Sequence, residues 1–393
     1  MNAPCVLVVG SELRAGPRAI RSLKRAGYRV LGAHTRDFLG GRSLACPRPL
    51  RHPRLDGATG AFATWLDATI SRYAVDVVLG ANEDAARLLA RSEDALGRAV
   101  LVGPTRDQYA VLCDKWALAG AAAAAGVDHP ASVLVGPGGL SAPLPLPAIV
   151  KPRESGESIE RMALKAEIVR TTDELDAIVA MLAEHGAEAI AQEIVTGPRW
   201  SAHGVSTSGG LLGVANRVVR DYPRGRGVTS MGEGVSLPEG LRLATERLCQ
   251  AVGYRGGLSV NAIERDGRFF VHDVNLRLPA AIGLSMGAGL DMTRIAVDDA
   301  LGRPIDARVA STFSRSAYIS IDLEAAALRD ALRGRGDGES ASAIVRGAVR
   351  HLRGGGRPVI DPNPLDPFWL PLIGARVVRR SARRLLRIRP RRP

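Results

Sequence analysis

The opening thirty residues admit few folds. Val6-Leu7-Val8-Val9 is a short apolar run of the buried type, and Gly10 to Pro17 makes a turn. Arg18 to Ala26 then has helical spacing through Ala19, Ile20 and Leu23, and Val30-Leu31-Gly32 is apolar again. Two strands joined through a helix pair in parallel, because a parallel pair needs a crossover of a dozen or more residues. Similar units follow: a helix near 60–73, a strand at 75–79, a helix near 83–96 and a strand at 100–102. The first hundred residues therefore read as a βαβ domain built on a parallel sheet. Gly10 and Gly16 do not complete the spaced glycine fingerprint of a dinucleotide site, so a nicotinamide cofactor has little support. Such an opening is a signal of fold and not of function.

Further along, the spacing predicts one helix over 106–125 stopped by Gly126, then a Gly/Pro loop leading to a strand at 148–150. A helix at 172–185 and a strand at 189–195 come next. Two strands around 200–219 turn at Gly209-Gly210, a helix covers 238–253, and a second hairpin joins 258–264 to 269–275 through Asp266-Gly267. Past residue 306 the pattern weakens, and 354–371 is Pro-rich and irregular.

With 393 residues the chain has room for two or three domains, and 46% apolar with 24% charged residues is ordinary for a soluble protein. Aromatics at 4% argue against stacking platforms for single-stranded nucleic acid. Cys5, Cys46, Cys113 and Cys249 form no Cys-x-x-Cys pair, which suits a reducing cytoplasm and speaks against structural zinc. The N-terminus does not read as a signal peptide, and no stretch approaches the roughly 20 apolar residues of a membrane span. Of the net charge of +13, nine charges are arginines in the last eighteen residues, which hold no acid. That run follows Phe368-Trp369-Leu370. Apolar anchor and polybasic segment together suit an anionic membrane surface, so residues 367–393 are a candidate for peripheral contact; a solvated or nucleic-acid-binding arm is the alternative.

The chemistry is foreshadowed by the lysines. Only four of the 53 basic residues are Lys: Lys24, Lys115, Lys151 and Lys165. Lys is a compact point charge and Arg a planar fork, so they are not interchangeable at a phosphate. Lys24 and Lys165 read as surface helix positions. Lys115 lies in Cys113-Asp114-Lys115-Trp116, and Lys151 ends the apolar run Pro147-Ala148-Ile149-Val150. In the second hairpin Asp273, Asn275 and Arg277 alternate and share a face, and Asn261 lies across from them. Carboxylate and amide oxygens suit Mg²⁺ shared with substrate phosphates, and Arg277 suits a phosphoryl oxygen. His272 alternates away from Asp273 and is expected on the other side of the strand.

These four motifs, in this order, resemble the ATP-grasp superfamily of carboxylate–amine ligases over roughly residues 106–305. Asp114-Lys115 followed by Gly126-Val127-Asp128-His129-Pro130 resembles the family's first lysine helix and its exit. Ile149-Val150-Lys151-Pro152 resembles the second lysine strand, and Gln192-Glu193-Ile194-Val195-Thr196-Gly197 the hinge that cradles adenine. Asp273-Val274-Asn275-Leu276-Arg277 resembles the metal and phosphate strand. The resemblance implies an α/β chain, α+β in its ATP-grasp part: an N-terminal βαβ domain (1–105), an ATP-grasp fold (106–305) with a mobile lid at about 130–192, and a C-terminal extension (306–393). It implies ATP and Mg²⁺ (or Mn²⁺) as cofactors. Lys115, Lys151, Gln192, Glu193, Ile194, Ser155 and Gly156 would bind the nucleotide; Asp273, Asn275 and Asn261 would hold the metal. Arg277 would steady the transferring phosphoryl group and Arg220 would anchor a substrate carboxylate.

The reaction expected is ADP-forming ligation of a small carboxylic acid to an amine; a degenerate ATP-binding module is the alternative. A homodimer and the membrane contact of the tail are the partner expectations, with no nucleic acid. Three features depart from the family pattern. Asn261 stands where Glu or Gln is usual, Asp273 replaces the more frequent Glu, and the loop after Lys151 holds one glycine, Gly156. In addition, Arg199-Trp200-Ser201 occupies the place of an acidic ribose ligand.

Overall fold

The computed structural model describes residues 3–12, 14–35, 45–46, 48–53, 59–154, 166–225, 227–306, 313–334 and 338–362. The chain begins with β1 (Cys5–Val9), α1 (Ala15–Arg25), β2 (Arg29–Thr35), β3 (Leu50–His52), α2 (Thr59–Tyr73), β4 (Val77–Gly80), α3 (Glu83–Arg91) and β5 (Val100–Val102). The five strands are parallel in the order β3-β2-β1-β4-β5. The unbroken apolar run of β1 follows from burial on both faces. Val6 and Val8 share a core with Ile20 and Leu23 of α1, whereas Leu7 and Val9 pack with Phe62 and Leu66 of α2 and Leu88 of α3.

Two helices, α4 (Arg106–Leu112) and α5 (Lys115–Ala124), replace the single one expected over 106–125. Asp114 makes the break. Its backbone is extended and its carboxylate accepts the amides of Trp116 (2.8 Å) and Ala117 (3.1 Å), so α5 starts at Lys115.

A second sheet follows, from β6 (Ser132–Gly136), β7 (Gly139–Leu140), β8 (Ala148–Pro152), β9 (Glu167–Val169), α6 (Thr172–His185) and β10 (Ala189–Glu193). Its strands are antiparallel, in the order β7-β6-β10-β8-β9. Leu175 and Leu182 of α6 close its apolar face against Val133, Val150 and Ala191.

The third sheet uses β11 (Arg199–Thr207), β12 (Gly210–Tyr222), β13 (Val228–Ser236), α7 (Glu239–Val252), β14 (Gly256–Arg265), β15 (Arg268–Asn275), α8 (Ile282–Gly287) and α9 (Met292–Ala300). Beyond residue 306, where periodicity is weak, β16 (Ser316–Ser320), α10 (Ile321–Leu332), α11 (Ala341–Arg353) and β17 (Arg357–Asp361) complete it. The order is β15-β14-β11-β12-β13-β16-β17, antiparallel except for the parallel β16–β17 pair. As expected, Asp266 (φ 53°) and Gly267 (φ 75°) turn the β14–β15 hairpin with both residues at positive φ, the twist that matches right-twisted strands.

Two bulges decide which side chains reach the cleft. Asn261 pairs with Asp273 but Ala262 pairs with Val271, leaving His272 as an extra residue. Val218 pairs with Gly232 but Arg220 pairs with Met231, leaving Val219 extra. Strict alternation fails across each insertion. No helix among the described residues is long and apolar enough to cross a membrane.

Candidate functional site

The second and third sheets face each other across a cleft of about 760 Å³. Lys151, Ile149 and Ile168 line it from one side, Asn261, Asp273, Asn275 and Arg277 from the other, and residues 192–197 join the two. At that junction Gly197 has φ 152°, and a Cβ there would collide with the carbonyl of Glu264; the chain crosses β14 too closely for any side chain.

Lys115 and Lys151 meet in the cleft from separate elements. Each is only 8% exposed. Lys115, in the first turn of α5, places Nζ 3.5 Å from Asp273 Oδ1 and 3.4 Å from the carbonyl of Arg153. Lys151, on β8, donates to the carbonyl of His272 at 3.0 Å. Burial, then the neighbouring charge of Lys115, lowers the Lys151 ammonium to about 7. An anion placed between the lysines would relieve both effects.

Asp273 is the counterweight. Burial alone would raise its pKa, but Lys115, Lys151 and the amide of Asn261 hold it below the ordinary carboxylate range. Asn261 Nδ2 (2.8 Å) and Asn275 Nδ2 (2.9 Å) both donate to its Oδ2. Asn275 Oδ1 in turn accepts from Arg277 Nη2 at 3.0 Å. The row expected from strand alternation is therefore one connected hydrogen-bonded set. Its far end is Glu83, whose Oε2 lies 2.8 Å from Arg277 Nε.

Among the described residues no cluster of three or more His, Cys, Asp or Glu side chains could hold a metal alone. One carboxylate and two amides, with two ammonium groups nearby, do not make a protein-only cage. They do fit a Mg²⁺ ion that takes most of its oxygens from phosphate and water.

Residues 192–197 run from β10 towards β11. Gln192 is buried and donates to Ser132 Oγ at 2.7 Å, and the amide of Glu193 is bonded to the carbonyl of Ala131 at 2.9 Å. Ile149, Ile168, Val195 and Ile263 give this end of the cleft apolar walls suited to a flat heterocycle. Ser155 and Gly156 lie outside the described residues, as does Lys165; Lys24 is exposed on α1 as expected.

Two expectations are corrected. Arg220 does not line this cleft. The bulge at Val219 turns it to the opposite side of the sheet, where its guanidinium pairs with Glu324 (2.9 Å) and with Glu339. His272 does not pack away from Asp273. As the extra residue of its bulge it lines the cleft, and burial, then the Lys151 charge, depresses its imidazole so that it stays neutral.

Several participants escape sequence reasoning. Glu83 comes from the first sheet, at the turn after β4, and only its place directly behind a strand and an Asn cap marks it. Arg153 grips the Asp114 carboxylate at 2.9 and 2.7 Å and also pairs with Glu188 at 2.5 Å; its carbonyl accepts the Lys115 amide at 2.9 Å. Arg199, which the sequence places where an acidic ribose ligand is usual, lines the cleft and pairs with Asp221.

No family model and no curated protein sequence matches this chain. Solved structures do. An L-amino acid ligase from Bacillus licheniformis is 16% identical with a TM-score of 0.64, over 80% of this chain and 79% of that one. A carboxyaminoimidazole ribonucleotide synthase from Aspergillus clavatus, complexed with ATP, is 11% identical with a TM-score of 0.66, over 90% and 97%. The N5-carboxyaminoimidazole ribonucleotide synthetase from Thermus thermophilus is 18% identical with a TM-score of 0.60, over 79% and 82%. At such identities the likeness is one of architecture alone. The chain has the fold of the ATP-grasp carboxylate–amine ligases.

Proposed function

We propose that this protein is an ATP-dependent, ADP-forming ligase that joins a small carboxylic acid to an amine. The observation that carries the reading is the meeting of Lys115, Lys151 and Asp273 beside an apolar slot, in a fold shared with a synthase solved with ATP. In this reading adenine lies against residues 192–195, between Ile149, Ile168 and Ile263. Lys115 and Lys151 bind the phosphate chain. Asp273 and Asn275 hold Mg²⁺ brought with the nucleotide, which when bound would neutralise phosphate charge.

Phosphoryl transfer asks little covalent chemistry of a protein, so positioned cations carry most of the effect. The acid's oxygen attacks the γ-phosphorus, the bond to ADP breaks, and an acyl phosphate forms. The amine then adds to its carbonyl carbon, phosphate leaves and the nitrogen loses a proton. Arg277 faces the transferring group. Its Nε and one Nη are held by Glu83 and Asn275, so the guanidinium is fixed in advance.

One observation favours a second reading, a nucleotide-binding module without turnover: Asp273 is the one carboxylate in the set Asn261, Asp273, Asn275. A screen for ADP release across acids, amino acids and amines separates the two. The ligase reading expects release that requires both an acid and an amine and that falls at least about 100-fold, to a measurable residue, in Lys151→Ala and Arg277→Ala. Tight ATP binding with no release across the panel would establish the module instead.

A further inference from the structure

We infer that Glu83 and Tyr109 are positioning residues for the phosphoryl-transfer site, supplied by segments that lie outside the cleft. Glu83 opens α3 at the C-terminal end of β4, next to β1 in the centre of the parallel sheet. Chains leaving β1 and β4 diverge there, and in open parallel sheets this is where functional groups collect. Its two carboxylate oxygens have separate duties. Oε1 accepts the hydroxyl of Tyr109 at 2.8 Å, and Oε2 takes Arg277 Nε at 2.8 Å.

Tyr109 is buried on α4, so the carboxylate is fixed before it meets the guanidinium. Arg277 then passes the constraint on: Nη2 holds Asn275 Oδ1 at 3.0 Å, and Asn275 Nδ2 holds Asp273 Oδ2 at 2.9 Å. Nε meets one carboxylate oxygen, Nη1 donates to the Leu278 carbonyl at 3.1 Å and Nη2 to Asn275, so each guanidinium nitrogen has a fixed partner. Without Glu83 the Nε end is released, the guanidinium can pivot about its Leu278 bond, and the bond that orients the Asn275 amide is loosened. The segment before the lysine helix thereby helps to build the site across the cleft.

The kinetic part of the test rests on the ligase reading; the crystallographic part does not. With the full chain and an acid–amine pair found in the ADP screen, Glu83→Gln is expected to lower kcat roughly 10- to 100-fold, the usual cost of removing a group that orients a site residue. The KM for ATP should move less than about threefold, because the lysines and hinge are untouched. Tyr109→Phe should give a smaller loss of the same kind, and serves if Glu83→Gln folds poorly. In an Arg277→Ala background Glu83→Gln should cost nothing further, since the group it positions is gone. An equal loss in both backgrounds would mean a merely structural role and overturn the inference, as would unchanged kcat. The crystal structure of Glu83→Gln with ADP decides the matter even if no turnover is found. A displaced Arg277 guanidinium and a reoriented Asn275 amide support the inference; an unmoved pair refutes it.

Discussion

Lys115 Nζ lies 3.5 Å from Asp273 Oδ1, joining the first turn of α5 to the edge strand β15. In the proposed ligase Asp273 would have two opposed effects on a nucleotide: it would repel bare phosphate and recruit the cation that phosphate carries. Asp273→Asn separates them. At an effective dielectric near 20 two unit charges about 8 Å apart repel by about 2 kcal/mol, so ADP in the presence of a chelator should bind roughly 30-fold tighter. Turnover with Mg²⁺ should fall at least about 100-fold, in the range lost when one electrostatic group leaves a transition state. Calorimetric titration measures the first effect; chelated ADP that binds no better to the variant would contradict this role.

If Lys151 binds the phosphate chain as proposed, nucleotide binding is expected to depend on pH. In the empty cleft its ammonium sits near 7, lowered by burial and by Lys115. Phosphate beside it favours the charged form, so its pKa rises on binding. Below the free value the lysine is already protonated and binding takes up no proton. Between the free and bound values ATP binding must take up a proton, and affinity falls as pH rises, by up to about tenfold per unit. Titrations at pH 8 in buffers of different ionisation enthalpy should register close to one proton taken up, and at pH 6 almost none. Lys151→Met should abolish the uptake. Uptake that persists in that variant would assign the proton to another group.

Arg220 is expected to matter for stability and not for chemistry. Its side chain is 11% exposed and pairs with Glu324, itself 9% exposed, and with Glu339, tying β12 to α10 and to the segment before α11. Arg220→Ala leaves a buried carboxylate without its partner, which costs about 2–4 kcal/mol. Thermal unfolding should show the loss. At temperatures where the variant is folded, kcat should stay within about twofold of the parent, since no interaction made only in the transition state is removed. A fall in kcat that far exceeds the loss of folded protein would return Arg220 to the substrate.

The contrast between Arg220 and Asp273 marks how far sequence carries. The βαβ opening, the Asp266-Gly267 hairpin and the alternation of Asp273, Asn275 and Arg277 are legible because periodicity and turn chemistry act within a few residues. A bulge depends on how two strands settle against each other, so the inserted His272 and Val219 leave no local mark, and residues near them change face. Glu83 reaches Arg277 across 194 positions, a relation that only the packed fold creates. The strands past residue 306 are hidden for a related reason. β16 and β17 are short and gain their stability as additions to an existing sheet, which periodicity does not record.

Asp114 offers a way to separate the placement of Lys115 from the stability of its helix. The carboxylate caps α5 through the amides of Trp116 and Ala117, and its other oxygen holds Arg153, at the end of the Lys151 strand, at 2.9 and 2.7 Å. The lysine helix and the lysine strand are thus joined beside the two ammonium groups. Asp114→Ala removes both functions; loss of the cap alone costs about 1 kcal/mol. Asp114→Asn keeps a good cap but gives up the ion pair, so its melting temperature should stay close to the parent's while the strand end is loosened. If the join sets the lysines for phosphate, both variants should raise the Kd for ATP by about the same factor, on the order of tenfold, close to the worth of one charged hydrogen bond. An asparagine variant with parental ATP affinity would show that Asp114 serves the helix alone, and that the lysines are placed by their own burial and by Asp273.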